Sequence, residues 1–368
     1  MCNKNILLVA YNNLGVGGVQ YVISQVVKLT SEGFHYDIVV FEDGDYYYNS
    51  FKKMGIKIIR LDLPKRKHIF QKIWWQLRGK NEFLYKSFEE LIKKNKYDII
   101  HSFRELDSYP IFKVARKHNV NKRIMHVNVM HTKHKNLLLR LITNRQKYLT
   151  LKYSSNIIFV SEQSKRQLLG ERTNDKWMTI YNPYDLSKYH YYSKQDNDNK
   201  IVIIHVASLS SNKNQLFTVK VFNEILKLHR HSYLYIMGDE NEDGYKDTVI
   251  DYIKQNKIPN IIMKGSTFDI TTISNKLSCY ILPSKKEAAP LVSIEAQAQG
   301  LKIFTSTAVS EEMNCGGLIR LSLKESPSFW ASKIYENFKK NKNNRIKYDT
   351  ERFSFDSFKR KLIDIYNN

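Results

Sequence analysis

Short runs of Val, Ile, Leu and aromatic residues alternate along the whole chain with longer stretches whose apolar positions fall three and four apart. The short runs fit buried strands and the longer stretches fit helices that cover them. In the first half this pattern predicts strands over 6–11, 36–41, 57–61, 97–101, 122–128, 156–160 and 178–181, with helices such as 19–31, 83–94 and 137–152 between them. After Asn182-Pro183, the stretch 193–200 has no apolar residue and reads as a linker. The alternation then restarts, with strands at 201–207, 233–237, 260–264, 279–282, 302–305 and 318–320. Helices fall at 215–228, 245–255, 291–299 and 328–340, and a last one at 355–366.

Strand–helix alternation of this kind builds parallel sheets from βαβ units. The expected fold is therefore α/β, with two doubly wound, Rossmann-like domains facing across a cleft and ligands at the carboxyl ends of the strands. The expected limits are 1–190 for the first domain and 191–349 for the second, with the C-terminal helix (350–368) packing back on the first. A chain of 368 residues suits two such domains, and 42% apolar residues exclude a disordered one. Cys2, Cys279 and Cys315 form neither a disulfide framework nor a C-x-x-C metal pair, which fits a reducing compartment. The apolar run at the N-terminus is too short for a signal peptide, and no stretch approaches the roughly 18 apolar residues of a membrane span. The expected location is cytoplasmic, as a soluble protein or one held at a surface.

Charge changes this picture in one region. The formal net charge is +23, and residues 51–150 hold 25 basic but only 7 acidic side chains. So local an excess implies an anionic partner: nucleic acid, anionic lipid or a phosphorylated substrate. Within it, Ile69, Phe70, Ile73, Trp74 and Leu77 share a helical stripe beside Trp75, ringed by Lys65, Arg66, Lys67, Lys72, Arg78 and Lys80. That is the composition of an interfacial helix on anionic lipid, with a core-packed helix bearing a solvated basic face as the alternative. Basic residues interleaved with aromatics also suit single-stranded nucleic acid, but no recognition motif accompanies them, and no nucleic-acid partner is expected.

The densest chemical signal lies between Cys279 and Ser306. A strand ends in Pro283-Ser284, a short loop carries Glu287, and a helix follows with Pro290 in its first turn and Gly300 placed to end it. Backbone N–H groups at Ala288, Leu291 and Val292 would offer a diphosphate site at the helix start. Glu287 and Glu295 stand where two carboxylates could hold separate hydroxyl groups of one elongated ligand.

This segment resembles the E-x7-E signature of the retaining glycosyltransferase family 4, a GT-B fold family. Pro283-Ser284, Glu287, Pro290, Glu295-Ala296, Ala298 and Gly300 stand in register with it, and Ala288 replaces its usual glycine. The resemblance implies that Glu295 binds the nucleotide ribose and Glu287 contacts the donor sugar. His205-Val206-Ala207-Ser208-Leu209, with Lys213-Asn214, is similar to the family stretch that opens the second domain. Lys213 then meets the donor diphosphate, while Ser208 replaces the arginine that usually shares this task. Gly238-Asp239 resembles the family's G-D turn, and Gly265 and Asp269 the loop that reaches the base. In the first half, Gly15-Val16-Gly17-Gly18 resembles the family's G-G-x-E loop, with Gln20 in place of the acid, and would let backbone approach the donor phosphate or the acceptor. His126, in Arg123-Ile124-Met125-His126, matches a histidine near the reacting sugar, with His131 behind it and Asn128 replacing a second histidine. A dinucleotide-binding reading of the glycine loop lacks its third glycine.

By this resemblance the chain is a retaining glycosyltransferase using a nucleotide diphosphate sugar, a UDP-sugar ahead of a GDP-sugar, with no cofactor or divalent metal. Asp43-Gly44-Asp45 formally fits a metal-binding D-x-D triplet but has the composition of a surface turn. The implied acceptor is polyprenyl-diphosphate-linked or an oligosaccharide, in capsule, O-antigen or related polysaccharide synthesis at the inner face of the membrane. The alternative reading is a degenerate GT-B protein that binds a nucleotide sugar without turnover, motivated by Ser208 and Ala288.

Overall fold

A computed structural model describes residues 3–15, 17–44, 46–61, 80–128, 136–184, 191, 199–266, 270–287, 289–341 and 345–368, the side chains of 80, 81, 138, 139, 271 and 341 aside. These residues divide into two compact units, one of Met1–Pro183 with Phe355–Asn368 and one of Tyr184–Ser354. The division falls at Pro183, where the sequence placed it at 190, and the linker at 193–200 lies almost wholly outside the described residues.

The first unit is built on seven parallel strands, β1 (Lys4–Val9), β2 (Phe34–Val40), β3 (Lys57–Arg60), β4 (Ile99–Ser102), β5 (Lys122–Val127), β6 (Asn156–Phe159) and β7 (Trp177–Thr179), in the order β3-β2-β1-β4-β5-β6-β7. Side chains of a strand alternate between faces, so a strand buried on both sides must be apolar throughout. β1 meets that demand. Ile6 and Leu8 pack with Val22, Ile23 and Val26 of helix α1 (Gly18–Val27), and Leu7 and Val9 pack on the other face with Phe88, Ile111 and Phe112. Phe88 comes from a helix at Lys80–Lys94, and Ile111 and Phe112 from one at Tyr109–Lys117.

The C-terminal helix, Phe355–Asn367, belongs to this first unit and packs on the Ile6 face through Phe358, Leu362, Ile365 and Tyr366. Lys4 Nζ and Lys122 Nζ donate to the carbonyl oxygens of Tyr366 and Ile365, each at 2.6 Å. Two cations thus meet the helix end, where unpaired carbonyls gather negative charge.

The second unit repeats the plan with six parallel strands: β8 (Ile201–Val206), β9 (Ser232–Met237), β10 (Ile261–Lys264), β11 (Cys279–Leu282), β12 (Lys302–Ser306) and β13 (Leu318–Leu321). Their order is β10-β9-β8-β11-β12-β13. Ile201, Ile203, Phe222, Ile225, Trp330 and Ile334 form its main core. Both sheets are doubly wound, as the alternation predicted, and each reverses direction of winding beside its first strand: between β1 and β4, and between β8 and β11. In open α/β sheets ligands bind outside the carboxyl ends of the strands at such points.

Candidate active site

In the second unit the loops at the β8/β11 reversal are 207–214 and 283–290, the two segments in which sequence placed the chemistry. The structure brings their residues together. Asn212 O accepts from the Lys285 N–H at 2.8 Å, and Asn212 Nδ2 donates to Lys286 O at 3.2 Å. Asn214 Nδ2 donates to Pro283 O at 3.1 Å. These bonds set Lys213 Nζ 2.6 Å from Glu287 Oε1, a charge-assisted pair in which Glu287 is only 8% exposed and Lys213 25%.

The backbone explains why these residue types are needed. Asn214 precedes helix α2 (Gln215–Leu228) with φ 63°, a left-handed conformation that asparagine tolerates. Gly238, after β9, has φ +143°, and a Cβ there would lie 2.0 Å from Ala207 O. Only glycine lets the two loops approach so closely. Gln215 Nε2 donates to Ser208 O at 2.9 Å, so Ser208 holds its loop through its backbone. Asp239 accepts from the Ser266 hydroxyl and N–H, which hold its carboxyl below the usual range. Asp269 and Ala288 lie outside the described residues.

Helix α3 spans Leu291–Ala298, and here the structure corrects the sequence: Pro290 stands before the helix with φ −71° and ψ 115°, not in its first turn. Its carbonyl accepts from the Ser293 N–H at 3.0 Å and the Ser293 hydroxyl at 2.7 Å. Leu291 and Val292 are then the first helical residues, whose amides have no carbonyl four residues back within the helix. Glu295 lies one turn further, half-buried, and its charge helps raise the pKa of the Tyr280 hydroxyl on β11, which burial already raises. Gly300, at φ +76°, follows the helix end.

His205, on β8, is fully buried and shares a hydrogen bond with the Thr218 hydroxyl at 2.8 Å. Burial, and the neighbouring Lys213 charge, lower its pKa to about 3.

In the first unit the reversal between β1 and β4 is bridged by Arg104, which donates to Tyr11 O at 2.5 Å and stacks over the Phe41 ring at 4.1 Å. Gly17 is extended, Gly18 opens α1, and the Gln20 amide oxygen would lie 2.3 Å from a Cβ at Gly17. His126 is not at an open strand end: it is fully buried, stacked on Phe103 and bonded through Nδ1 to His101 Nε2 at 3.1 Å. Burial lowers its pKa to about 3. Asn128, beyond it, donates its N–H to Glu105 Oε1 at 2.9 Å. Asp43, of the D-G-D triplet, is paired with Arg60. Asp45, His131 and the basic-aromatic group Lys65, Arg66, Lys67, Lys72, Trp74, Trp75 and Arg78 lie outside the described residues.

Sequence reasoning gave no role to Asn212 or Tyr366, named Asn214 only within the stretch that carries Lys213, and put His101 at a strand end facing the cleft, whereas it is fully buried. For the two asparagines a signal existed, since they flank Lys213 in a turn; for the pairing of His101 with Tyr366, none did.

Two family models divide the chain between them. "Glycosyltransferase Family 4" matches residues 16–188 and "Glycosyl transferases group 1" matches residues 192–313. This chain belongs to the family 4 glycosyltransferases. The glycosyltransferase is 24% identical over 366 residues to the capsular polysaccharide biosynthesis glycosyltransferase CapH of Staphylococcus aureus, across 97% of each chain. It also matches EpsF of Bacillus subtilis (strain 168) at 30% identity over 137 residues, 37% of this chain and 35% of that protein. Among solved structures, Anabaena Alr3699/HepE in complex with UDP and glucose superposes with a TM-score of 0.77 at 13% identity, over 99% of this glycosyltransferase and 100% of that chain. That similarity establishes the fold, GT-B.

Proposed function

We propose that this glycosyltransferase moves a sugar from a nucleotide diphosphate sugar, a UDP-sugar ahead of a GDP-sugar, to a lipid-linked or oligosaccharide acceptor, with retained anomeric configuration, in synthesis of a bacterial surface polysaccharide. One observation carries the reading: Lys213 and Glu287 meet at 2.6 Å outside the carboxyl ends of β8 and β11. A cation and a carboxylate fixed together there suit a ligand with phosphate at one end and hydroxyls at the other. Lys213 and the start of helix α3 neutralise the departing diphosphate, where negative charge develops. Glu287 accepts hydrogen bonds from the sugar and Glu295 from the ribose. The acceptor hydroxyl attacks on the face the diphosphate leaves and passes its proton to that leaving group. HepE, of the same fold, is described with UDP and glucose bound, which favours a UDP-sugar.

The acceptor reading rests on CapH, a capsular polysaccharide biosynthesis enzyme aligned end to end with this chain. No helix among the described residues is long and apolar enough to cross a membrane. The excess of positive charge over 51–150 favours peripheral attachment to the anionic inner face of the cell membrane. A screen of UDP-, GDP-, ADP- and dTDP-sugars tests the donor: one nucleotide sugar raises the melting temperature and yields a nucleoside diphosphate with acceptor. Stabilisation without release of product across a broad acceptor panel would instead favour a binding protein without turnover.

A further inference from the structure

Gln297, on helix α3, uses every hydrogen-bonding position of its side-chain amide. Nε2 donates to Ser293 O at 2.7 Å and to Met313 O at 2.8 Å. Oε1 accepts from the Cys315 N–H at 2.6 Å and from the Gly317 N–H at 3.0 Å. A primary amide has two N–H groups and two lone pairs, so none is left over. The side chain is fully buried, and a Cβ on Gly317 would lie 2.7 Å from Gln297 Cγ. Three of the four partners belong to the segment between β12 and β13, and the fourth is the carbonyl one turn back in the helix.

Apolar contact has no direction and lets a helix turn about its axis, whereas four directed bonds from one residue fix its rotation. Successive residues of an α-helix are turned by about 100°, so positions two apart point to nearly opposite sides. Gln297 held toward 313–317 therefore sends Glu295 to the other side of the helix, and burial agrees: Gln297 is buried and Glu295 half-buried. A second buried glutamine ties down the backbone of Glu295 itself. Gln299 Nε2 donates to Tyr280 Oη on β11 at 2.7 Å and to Glu295 O at 3.0 Å.

We propose that Gln297 is a positioning residue for the donor nucleotide: by fixing the rotation of α3 against 313–317 it aims the Glu295 carboxylate at the ribose hydroxyls. The proposal rests on the contact of Glu295 with the ribose proposed above. Gln297 touches no substrate, so its loss is felt through Glu295, in how well the ribose hydroxyls are recognised.

The test measures, by calorimetry on the full chain, the affinities of the nucleoside diphosphate of the preferred donor and of its 2′-deoxy form. Wild type is expected to bind the ribose form about tenfold tighter, the worth of a hydrogen bond to a charged group. Gln297→Met keeps the length of the side chain and removes its hydrogen bonds. Its preference for ribose is expected to fall to about twofold or less, with kcat at saturating donor little changed. A residue that serves the fold alone would lower the melting temperature and weaken both ligands alike, leaving the preference intact. Gln297→Ala makes the same comparison in a second background, where the space opened lets water meet the freed backbone groups. A full wild-type preference in either folded variant overturns the proposal and leaves the ribose role of Glu295 standing. No preference in wild type, or a full preference in Glu295→Gln, overturns that role and this proposal with it.

Discussion

Lys213 and Glu287 form an ion pair at 2.6 Å, although 74 positions of sequence separate them. The pair is held from both sides by asparagines, Asn212 on Lys285 and Lys286 and Asn214 on Pro283. A carboxylate 8% exposed is stable in this place because a cation meets it; on the function proposed above, a donor diphosphate that draws Lys213 away would free Glu287 for the sugar. The site is thus charged and occupied by its own partner before any ligand arrives.

Removing either member has different consequences. Lys213→Met leaves a buried carboxylate without its cation, so the second unit loses roughly 1–3 kcal/mol of stability and donor binding fails. Glu287→Gln keeps the shape and an acceptor for Lys213, so its melting temperature stays within a few degrees of wild type. Thermal melts of the two variants with and without the donor check this. Equal melting losses would show that the pair is no more than a fold contact.

Gly238 gives a second prediction. With a Cβ 2.0 Å from Ala207 O and φ +143°, Gly238→Ala must push the loop after β8 away and costs more than about 3 kcal/mol. Gly244, at φ +75° with nothing within 4 Å, is the control, and Gly244→Ala costs about 1 kcal/mol. Urea unfolding of both variants separates steric contact from conformational preference.

That contrast shows what was legible in the sequence. The strands of both sheets were legible because a strand covered on two faces must be apolar at successive positions, as Ile6 to Val9 are. Helices such as Gln215–Leu228 were legible from a long stripe, whereas Tyr48–Lys53, Tyr109–Lys117 and Glu162–Leu169 are too short for periodicity to resolve. Glu287, Glu295 and Lys213 were marked by the resemblance of their two segments to the family's motifs. The contact of Gly238 with Ala207, and of Tyr366 with His101 265 positions away, arises only when distant loops and the C-terminal helix fold together.

Acid should loosen both units. His205 and His126 have folded-state pKa values of about 3, below the ordinary 6.5, so the unfolded chain takes up their protons first. Their contribution is fully present above pH 6.5 and is lost as pH falls toward 3. Each histidine removes about 1.4 kcal/mol per pH unit within that window. Urea unfolding at pH 7 and pH 5.5 checks the direction, and His205→Gln should flatten the dependence of the second unit alone. A stability that rises on acidification would contradict it.

Membrane attachment is tested by sedimentation with vesicles of phosphatidylglycerol or phosphatidylcholine. Wild-type protein should sediment with the anionic vesicles only, and replacing Lys65, Arg66, Lys67, Lys72 and Arg78 by Gln should release it, each basic residue contributing about 1 kcal/mol. Equal binding to both vesicles would remove a role for the charge.

The central claim is that Glu287, paired with Lys213, works on the donor sugar. Its most direct test is nucleoside diphosphate release from the preferred nucleotide sugar by wild type and Glu287→Gln, with donor affinity measured alongside by calorimetry. The predicted result is near-normal affinity with turnover lowered by about 10²-fold or more. Wild-type turnover by Glu287→Gln would contradict the account.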